Sequence, residues 1–323
     1  AMRRKFAIAM VQITGSCGLS GLARAGEAIT SRTRQHKGPA MVLMRLALVA
    51  GLALAQPVLA ETPTETPAAT SAAEDLGQVL QLDGLFEVLR EEGVAHGKTL
   101  ETDMFPAGGG AGWQAEVSRI YDVATLRMAF DAALMAELAD DPKAVTEITA
   151  FFGSDLGQRI LGLEIEARRA FLDTAAEEAA RVAADDAAAD RDPKVALIRR
   201  LIEAGDLLEM NVAGALSGNL AFMTGMVSTR AYGSAMPQDQ VLSDVWAQEE
   251  QTRADTSTWL FSYLGLAYAP LTDAELQAYV EFSESPAGHR LNAALFTAFD
   301  TVFRQVSLDL GRAAGIAMQG RDI

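Results

Sequence analysis

No stretch of this chain alternates apolar and polar residues with the period of two that a half-buried strand requires, and that absence constrains the fold more than any motif. Ala, Leu, Met and Glu dominate instead. From Leu291 the apolar residues Leu295, Phe299, Val302, Phe303, Val306 and Leu310 recur at spacings of three and four. That spacing lays one apolar stripe along a helix from about Pro286 to near Arg312, with Asn292, Asp300, Arg304 and Asp309 on the other face. The expected fold class is all-α, a helical bundle.

Helix starts are legible as well. Asp141-Pro142, Asp192-Pro193 and Ser285-Pro286 each place a capping side chain before a proline at the first helical position. Thr272-Asp273-Ala274-Glu275 is a capping box, in which Thr reaches forward and Glu reaches back. Interruptions are expected at PAGGGAG (106 to 112), DDAAADRD (185 to 192) and AYGSAMP (231 to 237). The acidic Ala/Asp stretch is the expected boundary, dividing residues 75–184 from residues 193–323.

These halves read as related helical repeats. At a constant offset of 131, Phe151 lies over Phe282, Ser154 over Ser285, Gly157 over Gly288 and Arg159 over Arg290. Weaker echoes pair Trp113 with Trp246 at offset 133, and Leu85-Phe86-Glu87 with Leu207-Leu208-Glu209 at offset 122. The second copy, Phe282-x-x-Ser285-Pro286-x-Gly288-x-Arg290 behind LTDAELQAYVEF, resembles the hallmark of the domain of unknown function 2059 family. Those are small helical domains of Gram-negative bacteria, usually found behind a signal peptide. The resemblance runs over residues 272 to 312 and more loosely over 141 to 173, where Asp155 stands in place of the proline the family favours. It implies helices and export, and no established activity.

Export is also read from the residues. MVLMRLALVAGLALAQPVLA, residues 41–60, has a basic start at Arg45, an apolar core from Leu46 to Ala55, and small residues at Val58 and Ala60 that suit a cleavage site. The core is about ten residues, half of the ~20 a spanning helix needs. Residues 41–60 are therefore expected to be a signal peptide cleaved after Ala60, which places the mature chain in the periplasm. Residues 61–74, rich in Pro, Thr, Ala and Glu, are expected to be a disordered linker. Residues 1–40 are expected to be a spurious or extended N-terminus ahead of Met41 or Met44. A rival reading, a lipoprotein signal ending at Cys17, is opposed by Thr14 three residues before the Cys and by Gln12 within the apolar run.

Beyond residue 60 the chain carries 19 basic and 42 acidic residues, a net charge of −23. Such a surface repels phosphate backbones, so nucleic acid is excluded as a partner. Cys17 is the single cysteine, so neither a disulfide nor a thiolate metal site is expected in the mature chain.

Candidate sites are few. Ser154, Gly157 and Arg159, with Ser285, Pro286, Gly288 and Arg290, form a junction motif. Its serines cap, its glycines let the preceding helix cross closely, and its arginines pair with nearby carboxylates. An anion held at these helix starts is the competing reading. His96 and His289 lie in no His-x-x-x-His or Glu-x-x-His spacing, and the acidic pairs lack the pattern of a calcium loop, so no metal or cofactor is expected. No nucleophile elbow, phosphate loop or dinucleotide fingerprint occurs. The twenty residues from Met210 to Thr229 contain no charged side chain and include Gly214, Gly218 and Gly225. They are expected to form a central buried helix rather than a membrane span, with Leu216, Gly218, Leu220, Phe222, Met223 and Met226 as the lining of an apolar pocket in the competing reading.

The function expected is that of a non-catalytic periplasmic helical protein engaged in protein interaction or envelope maintenance. The alternative is a protein that binds a lipid or other apolar ligand within its helical body, and an enzyme without a recognisable motif stands below both.

Overall fold

The computed structural model describes residues 75–105, 108–231 and 237–320. The expected signal peptide (41–60), the linker (61–74) and the preceding residues lie outside the described residues. Among the described residues helix is the only regular structure. In chain order the helices are α1 (Leu82–Met104), α2 (Gly110–Ile120), α3 (Val123–Leu138), α4 (Pro142–Phe152), α5 (Asp155–Ala170) and α6 (Thr174–Ala189), then α7 (Pro193–Ala204), α8 (Leu207–Ser228), α9 (Gln238–Trp246), α10 (Glu249–Tyr268), α11 (Asp273–Ser283) and α12 (Pro286–Ala317).

Local chemistry sets most of these boundaries. Asp122, Asp141, Ser154, Asp173, Asp192, Thr272 and Ser285 each accept a backbone N–H from the first turn of the helix that follows. Those amides have no partner within their own helix, and a side-chain cap is worth about 1 kcal/mol. At Thr272 both halves of the capping box are made, with Glu275 accepting from the Thr272 backbone N–H at 2.7 Å. Helices α1 and α8 start differently. Each follows a residue with left-handed backbone, Gln81 (φ 51°) and Asp206 (φ 49°), and neither of these residues caps with its side chain.

The boundary expected over residues 185–192 is shorter than its composition suggests. Helix α6 continues through Asp185 and Asp186 to Ala189, and only the turn at Asp190–Asp192 breaks it. Alanine's helix propensity outweighs the aspartates, and Arg181 pairs with Asp185 one turn on at 2.8 Å. The last helix also exceeds its expected end near Arg312, running to Ala317.

Helices α8 and α12 form the most extensive packed pair, α3 lies along α12, and α10 is wrapped by α5, α6 and α8. One apolar cluster runs from Leu76 to Ala314 through elements of both halves. Side-chain removal at glycine permits the closest contact: a Cβ on Gly225 would strike the Leu308 carbonyl and the Arg312 amide, and one on Gly311 would strike the Phe222 backbone. Past Glu209 in its first turn, α8 is thus a packing helix, and no described helix is long and apolar enough to cross a membrane.

Candidate functional site: two helix junctions and the chamber between them

The α4–α5 and α11–α12 junctions coincide at the offset of 131. Pro142–Phe152 maps onto Asp273–Ser283, and Asp155, the first residue of α5, onto Pro286, the first of α12. Ser154 accepts the Gly157 N–H and Ser285 the Gly288 N–H, both at 3.1 Å. A Cβ on Gly157 would collide with the backbone of Phe151 and Phe152, and one on Gly288 with that of Phe282 and Ser283. Each glycine therefore lets a helix start pass directly over the end of the helix before it.

The junction arginines do not pair within their own halves. Arg159 reaches Glu275 at 2.5 Å and the Pro270 carbonyl at 2.8 Å, at the turn that opens α11. Arg290 reaches Asp140 and the Glu137 carbonyl, at the turn that opens α4. Phe151 and Phe282 stack on each other, centroids 4.2 Å apart and planes 12° apart. Corresponding residues thus exchange contacts across a local twofold relation, as in an isologous interface. The helix starts offer no open anion site among these contacts, since the caps and arginines are engaged by protein groups.

The weaker sequence echoes fare differently. Trp113 is buried in the first turn of α2 and donates to the Gly97 carbonyl at 2.9 Å, whereas Trp246 ends α9 and is 54% exposed. Helices α1 and α8 correspond from Leu82 and Leu207, each after a left-handed residue, and not in the register that pairs Leu85 with Leu207.

Between the junctions lies a chamber of about 100 Å³. Its apolar wall includes Leu82, Leu161, Leu201, Leu207, Leu291 and Leu295. Its polar wall is Glu164 and Arg168 of α5 with Tyr263 and Tyr268 of α10 and Tyr279 of α11. Tyr268 donates to Glu164 Oε1 at 2.6 Å, Tyr279 donates to the same oxygen at 3.4 Å, and Tyr263 donates to the Glu164 backbone carbonyl at 2.6 Å. Arg168 is 2% exposed and pairs with Glu92 of α1 at 2.7 Å.

Burial dominates the electrostatics here. Loss of hydration pushes the Glu164 carboxyl up to about 7, against the opposing pull of the Tyr268 and Tyr279 hydroxyls. Burial also raises the phenols of Tyr263, Tyr268 and Tyr279 well above their ordinary value, so all three remain donors at neutral pH.

None of Leu216, Gly218, Leu220, Phe222, Met223 and Met226 lines this chamber. Leu216 packs in a small cluster with Val212 and Val245, joined by Leu220, while Phe222 and Met226 join the main core. His289 is exposed and His96 lies away from the chamber. Among the described residues no three His, Cys, Asp or Glu side chains converge as a metal site needs. Sequence reasoning missed Glu164, although the signal was present: Gly157, Ile160, Glu164 and Ala167 share the buried stripe of α5, and a carboxyl stands where an apolar side chain belongs.

Residues 129–186 match the family described as an uncharacterized protein conserved in bacteria (DUF2059). The chain carries a DUF2059 segment. The match covers the end of α3, all of α4 and α5, and most of α6. It contains the first junction and Glu164, while the second junction, on which the sequence resemblance is strongest, lies outside it. Among curated proteins and among solved structures, none matches the chain.

Proposed function

We propose that this DUF2059-containing chain is an exported, non-catalytic binding protein, built from two duplicated helical units, that holds a small molecule in the chamber between its junctions. One observation carries the reading: a buried carboxyl and a buried guanidinium share a leucine-lined space that the surrounding helices leave unfilled. Convergent polar groups in an apolar recess are the usual make-up of a small-molecule site. Size narrows the ligand. The chamber is well below the ~300 to 1,000 Å³ of drug-sized pockets and below the ~150 Å³ that takes benzene, so a lipid chain does not fit and a molecule of a few heavy atoms does.

Binding rather than catalysis is favoured because one acid lines the chamber with three phenols held as donors, and no imidazole reaches it. Export rests on the tripartite signal at residues 41–60, and duplication on the shared offset together with the reciprocal contacts. NMR of ring-labelled tyrosine tests the binding reading. Small alcohols, amines and acids at millimolar concentration should shift Tyr263, Tyr268 and Tyr279, whereas silence at all three rings from every probe would contradict it. N-terminal sequencing of protein made in a Gram-negative host tests export, with retention of residues 41–60 as the contrary outcome.

Protein interaction is the second reading. It is supported by Leu242 and Trp246, one turn apart on α9 and 43% and 54% exposed, on a helix that packs chiefly against α8.

A further inference from the structure

The chamber's polar wall is not required by the helix junctions that surround it. At the offset of 131, Glu164 corresponds to Leu295, Arg168 to Phe299 and Tyr279 to Ile148. Phe299 and Ile148 are fully buried, and Phe299 packs on Phe130 and Phe86 at 4.3 and 6.0 Å between centroids. The same arrangement of helices is therefore closed with apolar side chains on one side and with ionisable ones on the other. Burying ionisable groups costs free energy that apolar packing avoids, so their presence calls for a use beyond folding.

Charge then indicates what the wall accepts. Glu92 and Arg168 form a pair that sums to zero. Glu164 has hydroxyl partners in Tyr268 and Tyr279, and its carboxylate adds one uncompensated negative charge. The groups facing it are Arg168 on its own helix, Glu92 from α1, Tyr263 and Tyr268 from α10, and Tyr279 from α11. Helices α7 and α12 face it with Leu201, Leu291 and Leu295, and with the uncharged amide of Asn292.

Resting on the reading of the chamber as a ligand site, we propose that its ligand is a small organic monocation, an amine of about four carbons whose ammonium group lies on Glu164 and whose carbon body lies on the leucines. The ammonium supplies the missing positive charge, and the chamber volume limits the carbon body. Because burial raises the Glu164 carboxyl to about 7, an incoming cation expels its proton where that carboxyl is protonated.

The test is calorimetric titration of the folded protein with n-butylammonium, 1-butanol and butyrate, repeated on Glu164→Gln. Butylammonium should bind at least about tenfold more tightly than butanol at pH 8, and butyrate should not bind. Affinity for butylammonium should fall about tenfold for each pH unit below 7, and heats in two buffers of different ionisation enthalpy at pH 6 should show a proton released. Glu164→Gln keeps the side-chain shape, and in it the preference for butylammonium over butanol and the proton release should both vanish. Butanol or butyrate binding as well as the amine, or a preference that survives in Glu164→Gln, would overturn the cation assignment while leaving the chamber a binding site. Silence from all three probes, in protein whose circular dichroism is intact, would overturn the binding reading and this inference with it.

Discussion

The α4–α5 and α11–α12 junctions use the same parts and surround themselves with different chemistry. Both have a serine cap, a glycine under the crossing, an arginine that reaches the turn opening the first helix of the opposite pair and a phenylalanine stacked on its counterpart. Around the first, Glu164 and Arg168 are buried at positions where the second has Leu295 and Phe299. The shared parts show what the helix crossing needs. What differs is gathered at one chamber.

The largest effect is expected at the glycines. Gly157→Ala and Gly288→Ala each drive a Cβ into the backbone of the preceding helix, which cannot move aside as a flexible side chain would. Each should cost about 2 to 4 kcal/mol in urea unfolding, at or above the usual range for overpacking. A loss under about 1 kcal/mol at either site would show that the crossing does not need the glycine there.

Glu164 should set the two junctions apart through pH. Its carboxyl is pushed up to about 7 in the folded chain from 4.5, so the folded state binds the proton more tightly than the unfolded state. The contribution is therefore least unfavourable below about pH 4.5, is lost progressively as pH rises toward 7, and is level above that. Over this window the difference is roughly 3 kcal/mol. Unfolding of Glu164→Gln should lack this component, so its stability relative to the parent protein should rise between pH 4.5 and 7.5. A constant difference would mean that burial does not shift this carboxyl.

The smallest effect is expected at the reciprocal arginines. Arg159→Ala and Arg290→Ala remove partly exposed ion pairs, and each should cost about 0.5 to 1 kcal/mol, slightly less in high salt. Similar losses would fit the twofold relation, and a severalfold disparity in urea unfolding would argue that one junction depends on its arginine more than the other.

Much of the fold was legible from the sequence because its causes are local. The three-four spacing after Leu291, the Asp-Pro and Ser-Pro starts and the Thr272–Glu275 box each act within one turn of helix, and the structure places helices where they indicate. The Ala/Asp stretch misled because aspartate suggests a solvated break, while alanine at most of the intervening positions sustains α6 to Ala189. The chamber was not legible because it depends on distance in space. Glu164 meets Tyr268 and Tyr279 across more than one hundred residues of chain, and no local spacing announces that meeting. Gly225 carried the opposite risk. Its lack of volume suggested a pocket, but α12 fills the space with backbone.

On the proposal above, the polar wall serves a ligand and not the fold. The most direct test is the unfolding free energy at pH 8 of the triple variant Glu164→Leu, Tyr268→Phe, Tyr279→Phe, which removes the carboxyl together with the hydroxyls that donate to it. Replacing both sides of a buried polar contact with apolar groups of similar shape is usually neutral or stabilising. The expected variant is as stable as the parent protein or more stable by up to about 3 kcal/mol, with butylammonium binding abolished. A loss of more than about 2 kcal/mol would contradict it and make Glu164 and its tyrosines part of what holds the two junctions together.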